Sequence, residues 1–312
     1  MRLQHAVLLG EEAAAEAAAA AGGDVNSVTQ GLALLHVTAA FGHVACMDVL
    51  LRAGADPNVV NSSGRTPLHC LTPLKDPEAA EACAAALLAG GADPNATDRQ
   101  QYTPLHYTAM KGSEGATAVL LAAGADPAAR AAGRGDVAAH LAATQGHAGI
   151  LRLLVQADPS VALLEAGAGV TPLAAAVVSG HVEAASFLLE EAPLPRGSPA
   201  GVLGAFAGAA SDDMRRLIPV LVSRLPLTQR EWQVVPTPCA GLLAALPAVL
   251  QRSTAEAAEL VSRLPPVGST RLRCFALCLA RLQCRHGVSL PAPLAWRLPA
   301  AVATHAEVPG PA

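Results

Sequence analysis

Histidines recur in this chain at an almost constant interval, and that interval constrains the fold more than anything else. His36, His69, His106 and His140 stand 33, 37 and 34 residues apart, and Ala174 takes the same slot after a further 34. The words around them repeat as well. "GRTPLH" covers 64–69, "YTPLH" covers 102–106 and "VTPL" covers 170–173. Self-similarity at this spacing means stacked supersecondary units, because one such unit cannot bury its apolar face alone.

Local chemistry assigns each word a place. A threonine hydroxyl can accept from a free backbone N–H at a helix start, and proline suits the first helical position. Thr66-Pro67, Thr103-Pro104 and Thr171-Pro172 therefore read as helix beginnings. Glycine follows the His slot by six residues at Gly42, Gly112, Gly146 and Gly180, and His43, His147 and His181 come directly after. A second helix carries paired leucines: Leu50-Leu51, Leu87-Leu88, Leu120-Leu121, Leu153-Leu154 and Leu188-Leu189. Gly54, Gly91 and Gly124 then precede Ala-Asp-Pro, a left-handed stop followed by a residue that cannot continue the helix. The 37-residue step holds four extra residues near "LTPLKDPEAAEA", expected to lengthen the loop between two helices.

Thr-Pro-Leu-His at this period resembles the T-P-L-H-x-A phrase of the ankyrin repeat family, with Leu71 and Thr108 in the alanine slot. The resemblance implies an all-α ankyrin-repeat solenoid of stacked helix-turn-helix units with short hairpin fingers. It covers residues 1–192, about six repeats, the first of them degenerate. "QHAVLLGEEAAAEAAAAAGGDVN" places Gly10 and Gly22 correctly, but its second helix is mostly alanine, which forms helix well and buries little. Residues 193–312 lack the signature words. "SPAGVLGAFAGAASDDMRRLIPVLVSRLP" and "TPCAGLLAALPAVLQRSTAEAAELVSRLPP" keep the outline of helix pairs, either worn-down repeats or a separate helical cap.

Composition excludes several classes. Hydrophobic residues make up 52% and charged residues 15%, yet no run long enough to span a bilayer is purely apolar. Glu16 breaks the alanine tract at 13–21, so no membrane span or secretion signal is expected. With seven cysteines, an odd number, reduced thiols in the cytoplasm or nucleus are expected. Cys274, Cys278, Cys284 and His286 follow no common zinc spacing, and the first two read as small apolar residues on a helix face. The seven histidines in signature slots (His36, His43, His69, His106, His140, His147, His181) read as structural, their ring nitrogens satisfying finger or cap backbone groups. None of the common nucleophile-elbow, phosphate-loop, zinc-protease or dinucleotide motifs is present, so neither an enzyme nor a cofactor is expected. "GRGD" at 133–136 reads as a finger turn, and the Asn61 and Asn95 glycosylation sequons require a secretory route the N-terminus does not support.

Charge is divided unevenly. Residues 1–192 hold 9 Lys/Arg and 19 Asp/Glu, a net of −10, whereas residues 193–312 hold 12 Arg and 6 Asp/Glu, a net of +6. An acidic repeat surface favours basic partners. Ankyrin repeats bind other proteins along finger tips and the concave ends of first helices. Carried onto this chain by position, the tips are Arg65, Arg99, Gln100, Tyr102 and Arg134, and the helix ends are Phe41, Met110, Lys111, Thr144 and Gln145. Phe41 is read either as an exposed contact or as packed under the neighbouring finger. The expected function is a non-enzymatic scaffold or adaptor, monomeric, with a protein partner and no nucleic acid. An alternative comes from "LRCFALCLARLQCRHGVSLPAPLAWRL". Its Leu290-Pro291-Ala292-Pro293 resembles the SOCS box through which some ankyrin proteins recruit elongin and a cullin ubiquitin ligase, though the leucine expected before the key cysteine is Cys274.

Overall fold

The computed structural model describes residues 2–29, 31–71, 77–167 and 169–192, together with short stretches between 213 and 260. Contacts divide the chain into two units, Met1–Ser179 and Gly180–Ala312. The SOCS-box-like and cysteine-rich segments at 274–293 lie outside the described residues, as does Thr237-Pro238.

The first unit is an all-α stack. Its helices are α1 (Arg2–Leu9), α2 (Glu12–Ala20), α3 (Leu34–Phe41), α4 (Val44–Arg52), α5 (Pro77–Ala89), α6 (Pro104–Lys111), α7 (Glu114–Ala122), α8 (Ala138–Gln145), α9 (Ala148–Ala157) and α10 (Pro172–Ser179). First helices α1, α3, α6, α8 and α10 form one row, and second helices α2, α4, α5, α7 and α9 form another. From α1 to α9 the helices pack on the partner within their own repeat and on neighbouring repeats, the 3₁₀ turn at Pro67–Cys70 standing between α3 and α6, and α10 packs on α8. Leu35, Met47, Leu50, Leu68, Leu87, Leu105, Leu120, Ile150 and Leu151 are fully buried between the rows. Each such side chain contributes about 1.5–3 kcal/mol relative to exposure. Alanines at the contacts (Ala39, Ala84, Ala109, Ala116, Ala142) let the helices approach closely. A hairpin precedes α3, with β1 (Val28–Thr29) antiparallel to β2 (Leu32–Ala33) and Val28 opposite Ala33. Later fingers are tighter turns without ladder strands, apart from a bridge between Ala166 and Val170.

The third repeat departs from expectation. Its first helix is a single 3₁₀ turn, Pro67–Cys70, which ends where Leu71 becomes extended (φ −59°, ψ 119°). Pro73 follows two residues later and cannot continue a helical ladder. Six residues stand between this turn and α5 where two stand between α3 and α4, so the connection is longer by four, as expected. Helix α5 itself has 13 residues where α4 and α7 have 9, and the first helical element is shorter by four.

The second unit opens with α11 (Val182–Glu190) and continues through α12 (Ile218–Arg224), a 3₁₀ turn at Leu242–Ala245 and α13 (Leu246–Arg252). Trp232 is fully buried here. The Arg224 guanidinium donates to the Leu189 carbonyl, tying the end of α12 to α11.

Candidate functional site

The surface that meets a partner is set by what holds the fingers still, and the four slot histidines do this first. Nε2 of His36, His69, His106 and His140 sits 2.8, 3.1, 3.2 and 2.9 Å from the carbonyls of Arg65, Tyr102, Asp136 and Val170, each in the next finger. A carbonyl only accepts, so Nε2 carries the proton. Nδ1 then accepts from the backbone N–H of the cap residue three positions back: Ala33, Thr66, Thr103 or Val137. Burial pushes all four imidazoles below the ordinary value of 6.5, against the pull of the carbonyls they bond. Each ring is thus a neutral staple between adjacent repeats.

This corrects the expected threonine role. At Thr66 and Thr103 the hydroxyl lies 2.9 and 2.8 Å from His Nδ1 and donates to it, and no side-chain cap bond to the helix backbone forms. Only Thr171, where Ala174 replaces the histidine, receives a backbone N–H on its hydroxyl, at 3.3 Å from Ala174 N. The amides of His69 and His106 bond the carbonyls of Thr66 and Thr103 instead, each at 3.0 Å. His43 and His147 also differ from expectation, since neither makes a side-chain cap bond at the helix it precedes. His43 and His147 act by packing. Their rings lie on Gly10 and Gly112 of the preceding repeat so closely that a Cβ there would come within 2.7 Å.

Fingers are joined tip to tip by backbone bonds: Arg99 N to Ser63 O, Ala132 N to Gln100 O, and Gly167 N to Arg134 O. Asn61 and Asp98 shape two of them from within. Asn61 Oδ1 accepts the N–H groups of Ser63 and Arg65, and Asp98 Oδ1 accepts those of Gln100 and Tyr102. The second Asp98 oxygen accepts the Tyr107 hydroxyl at 2.8 Å and lies 3.5 Å from Arg65 Nε. The Arg65 guanidinium in turn stacks over the Tyr107 ring, 4.8 Å from its centre. Burial alone would raise the Asp98 carboxyl, but the Tyr107 hydroxyl and the two amides outweigh it and hold the group below its usual range. Tyr107 moves the opposite way, upward, through burial and the adjoining carboxylate.

Asp98 and Tyr107 were not among the residues singled out in the sequence. The available signal was positional, since Asp98 stands five residues before Thr103 as Asn61 stands five before Thr66. The "GADPN" words held another. Asn58 and Asn95 each donate to the next repeat's glycine carbonyl (Gly91, Gly124) and accept the following aspartate N–H (Asp93, Asp126), a second ladder on the far edge.

The ten surface candidates separate into two groups. Tyr102 and Arg65 are half-buried and committed, Tyr102 packing edge-on against His106 and Tyr107. Met110 is also half-buried. Arg99, Gln100, Lys111, Arg134, Thr144 and Gln145 are exposed, with the Thr144 hydroxyl donating to the His140 carbonyl. Arg134 lies 4.0 Å from Asp136 at the tip formed by the "GRGD" stretch. Phe41 is 62% exposed, so it does not pack under a finger. Its ring stacks on His43 at 5.8 Å.

Among the described residues, no cluster of three or more His, Cys, Asp or Glu could hold a metal, and no helix is long and apolar enough to cross a membrane. Burial pushes the Cys70 and Cys83 thiols up to about 11 and about 12, so both are protonated and weakly nucleophilic at neutral pH.

The family model for ankyrin repeats matches residues 3–98, 35–131, 78–163 and 119–196, overlapping without a gap from 3 to 196. The chain belongs to the ankyrin repeat family. No curated protein matches it. Ankyrin repeats generally mediate protein–protein interaction, and in this ankyrin chain His36, His69, His106, His140 and Asp98 hold the fingers.

Proposed function

We propose that this ankyrin protein is a non-enzymatic scaffold or adaptor that holds a protein partner against its finger tips and the ends of its first helices. The observation that carries the reading is the rigid finger row. Three tip-to-tip backbone bonds and four imidazole staples hold the finger backbone that presents the exposed side chains of Arg99, Gln100 and Arg134, beside the exposed helix-end residues Lys111, Thr144 and Gln145. Binding then costs little backbone ordering entropy. The excess of acid over base in 1–192 supports a partner with basic character, and the odd number of cysteines, seven, suits a reducing compartment such as cytoplasm or nucleus.

The test is affinity capture with the wild-type chain and an Arg99→Ala, Lys111→Ala, Gln145→Ala variant. These residues are exposed, so the variant should melt like wild type while losing most of its captured partner. Equal recovery by both would remove this surface from the function. Arg65 and Tyr102 are unsuitable probes, because altering them disturbs the Asp98 network.

A further inference from the structure

Among the described residues, the large exposed apolar side chains Leu8, Leu9, Val28, Leu32 and Phe41 lie between residues 8 and 41, and Val60, Leu163 and Val178 stand elsewhere. Leu8 and Leu9 are 53% and 56% exposed at the end of α1, and Phe41 is 62% exposed at the end of α3. These two helix ends lie side by side. Gly10, directly after Leu9, touches the His43 ring, and that ring is stacked nearly parallel to Phe41, with an interplanar angle of 15°. Leu8, Leu9, the His43 imidazole and Phe41 therefore form one continuous shelf across two repeats. In the corresponding places later in the unit stand Met110-Lys111, Thr144-Gln145 and Val178-Ser179; Val178 is exposed there as well, but none of these pairs matches Leu8-Leu9 or brings a phenylalanine.

Its electrostatic setting is one-sided. From Leu3 to Leu51 the chain holds five carboxylates (Glu11, Glu12, Glu16, Asp24, Asp48) and no lysine or arginine. Glu11 and Glu12 are exposed and follow Leu9-Gly10 immediately. The finger array further along carries exposed Arg99, Lys111 and Arg134 instead. An apolar shelf with exposed Glu11 and Glu12 beside it, in a stretch whose flanking bases are Arg2 and Arg52, complements a segment that presents bulky apolar side chains beside lysine or arginine.

We propose that the α1/α3 shelf is a docking site for a cationic amphipathic helix of a protein partner. Phe41, Leu8 and Leu9 take its apolar face, and Glu11 and Glu12 take its basic flank. This deepens the binding reading above and rests on it, but it assigns the partner's anchor to repeats one and two, away from the fingers.

The experiment uses the full chain and three fluorescein-labelled synthetic helical peptides of equal length. Each carries leucine on one face, and the opposite face is lysine, glutamate or glutamine. Fluorescence anisotropy at about 0.15 M salt measures each affinity. The lysine peptide should bind at least tenfold more tightly than the glutamine peptide, and the glutamate peptide should not bind. Phe41→Ser and a Leu8→Gln, Leu9→Gln pair should each weaken the lysine peptide about tenfold. A Glu11→Lys, Glu12→Lys pair should do so comparably and render binding insensitive to salt. Because these side chains are exposed, melting curves should stay within a few degrees of wild type. Equal binding of lysine and glutamine peptides, or wild-type affinity in Phe41→Ser, overturns the proposal. So does a dimer of wild type in sedimentation that Phe41→Ser converts to monomer, since the shelf would then belong to a second copy. Loss of lysine-peptide binding in Arg99→Ala, Lys111→Ala, Gln145→Ala, with Phe41→Ser unaffected, overturns the shelf while leaving the finger surface standing.

Discussion

Repeat one and the block from Asn61 to Val137 follow one plan with different fillings, and the difference shows where this solenoid obtains its order. Helix α2 buries only Ala15, and a cleft of about 420 Å³ opens beside Leu3, Ala18 and Gly22–Gly23. Six residues before Gly10, the histidine slot holds Gln4, whose amide reaches the Ser27 hydroxyl at 3.3 Å instead of a finger carbonyl. In the central block the corresponding positions are His69 and His106, doubly bonded, with Asp98, Tyr107 and Arg65 locked beside them. Apolar burial sets the strength of each interface. The polar ladder adds direction, because each staple accepts only one finger position. In a stack stabilised by neighbours, the end with alanine and glutamine should open first.

Acid tests that contrast most severely. The four slot imidazoles are held below 6.5 by burial, so in the pH window beneath 6.5 the unfolded chain binds protons that the folded chain refuses. Stability is complete above 6.5 and is lost as pH falls through the four folded values. Asp98, also held low, adds a further loss below the ordinary carboxylate range. The charged groups around the rings are Asp98 and Arg65 at His69, Asp136 and Asp98 at His106, and Asp136 and Arg130 at His140. Urea midpoints should therefore drop steadily from pH 7 to pH 5. Amide exchange should show the protection of α6–α8 falling toward that of α2. A central block that keeps its full lead over repeat one at pH 5 would mean the staples carry little of it.

Removing one anchor should come next in size. Asp98→Ala strands the Tyr107 hydroxyl, two finger amides and the Arg65 guanidinium, at a cost of about 3 kcal/mol by urea denaturation. Gln4→Ala, the matched change in repeat one, should cost under about 0.5 kcal/mol, since it removes one half-buried bond. Similar values for the two would erase the distinction between the regions.

Most of the frame was legible before the structure because it is written in backbone demands. Gly42 and Gly112 end α3 and α6 in the left-handed region, and the Thr-Pro pairs do open helices. The site was less legible. Asp98 looks like any turn aspartate until Tyr107, from the helix behind, brings a hydroxyl to it, and that meeting depends on packing between repeats. Thr66 and Thr103 were read as caps because hydroxyl-to-amide capping is the local rule. The histidine three residues on overrode it, and a local rule holds no term for that competition. The longer connection of the third repeat was visible in the insertion, but its short first helix and the extra turn of α5 depend on packing against the neighbouring repeats. The exposure of Phe41 was undecidable in advance for the same reason.

Gly112→Ala against Gly124→Ala separates two costs that central glycines can carry. Both have positive φ, 81° and 86°, so both substitutions force a side chain into the left-handed region at about 1 kcal/mol. Gly124 faces open space, whereas a Cβ on Gly112 would strike the His147 ring at 2.7 Å. Gly112→Ala should therefore cost roughly 2 kcal/mol in total, about twice its companion. Equal costs would show that the His147 ring moves aside freely and does not hold the fourth repeat to the fifth.

The smallest effect runs toward greater stability and tests the ladder where it is incomplete. Val137 occupies the cap position that Thr66 and Thr103 hold elsewhere, with matching backbone angles (−101°, 167° against −84°, 169° and −92°, 165°). Its N–H meets His140 Nδ1 at 3.3 Å, longer than the 3.0 and 3.1 Å at the two threonines, and no hydroxyl supports the ring. Val137→Thr replaces one buried methyl with a hydroxyl that inherits a donor position about 2.9 Å from a waiting acceptor, as at Thr66. Valine to threonine in a sealed core is normally unfavourable because the hydroxyl is left unbonded. Here it is not, so a gain of about 0.5–1 kcal/mol should appear in the urea midpoint. The gain should vanish below the pH at which His140 protonates, because a charged ring offers the hydroxyl no lone pair. A loss at neutral pH would instead mean that the departing methyl contributes more to the α8 interface than the completed staple does, and that the threonines at 66 and 103 serve the helix start more than the ladder.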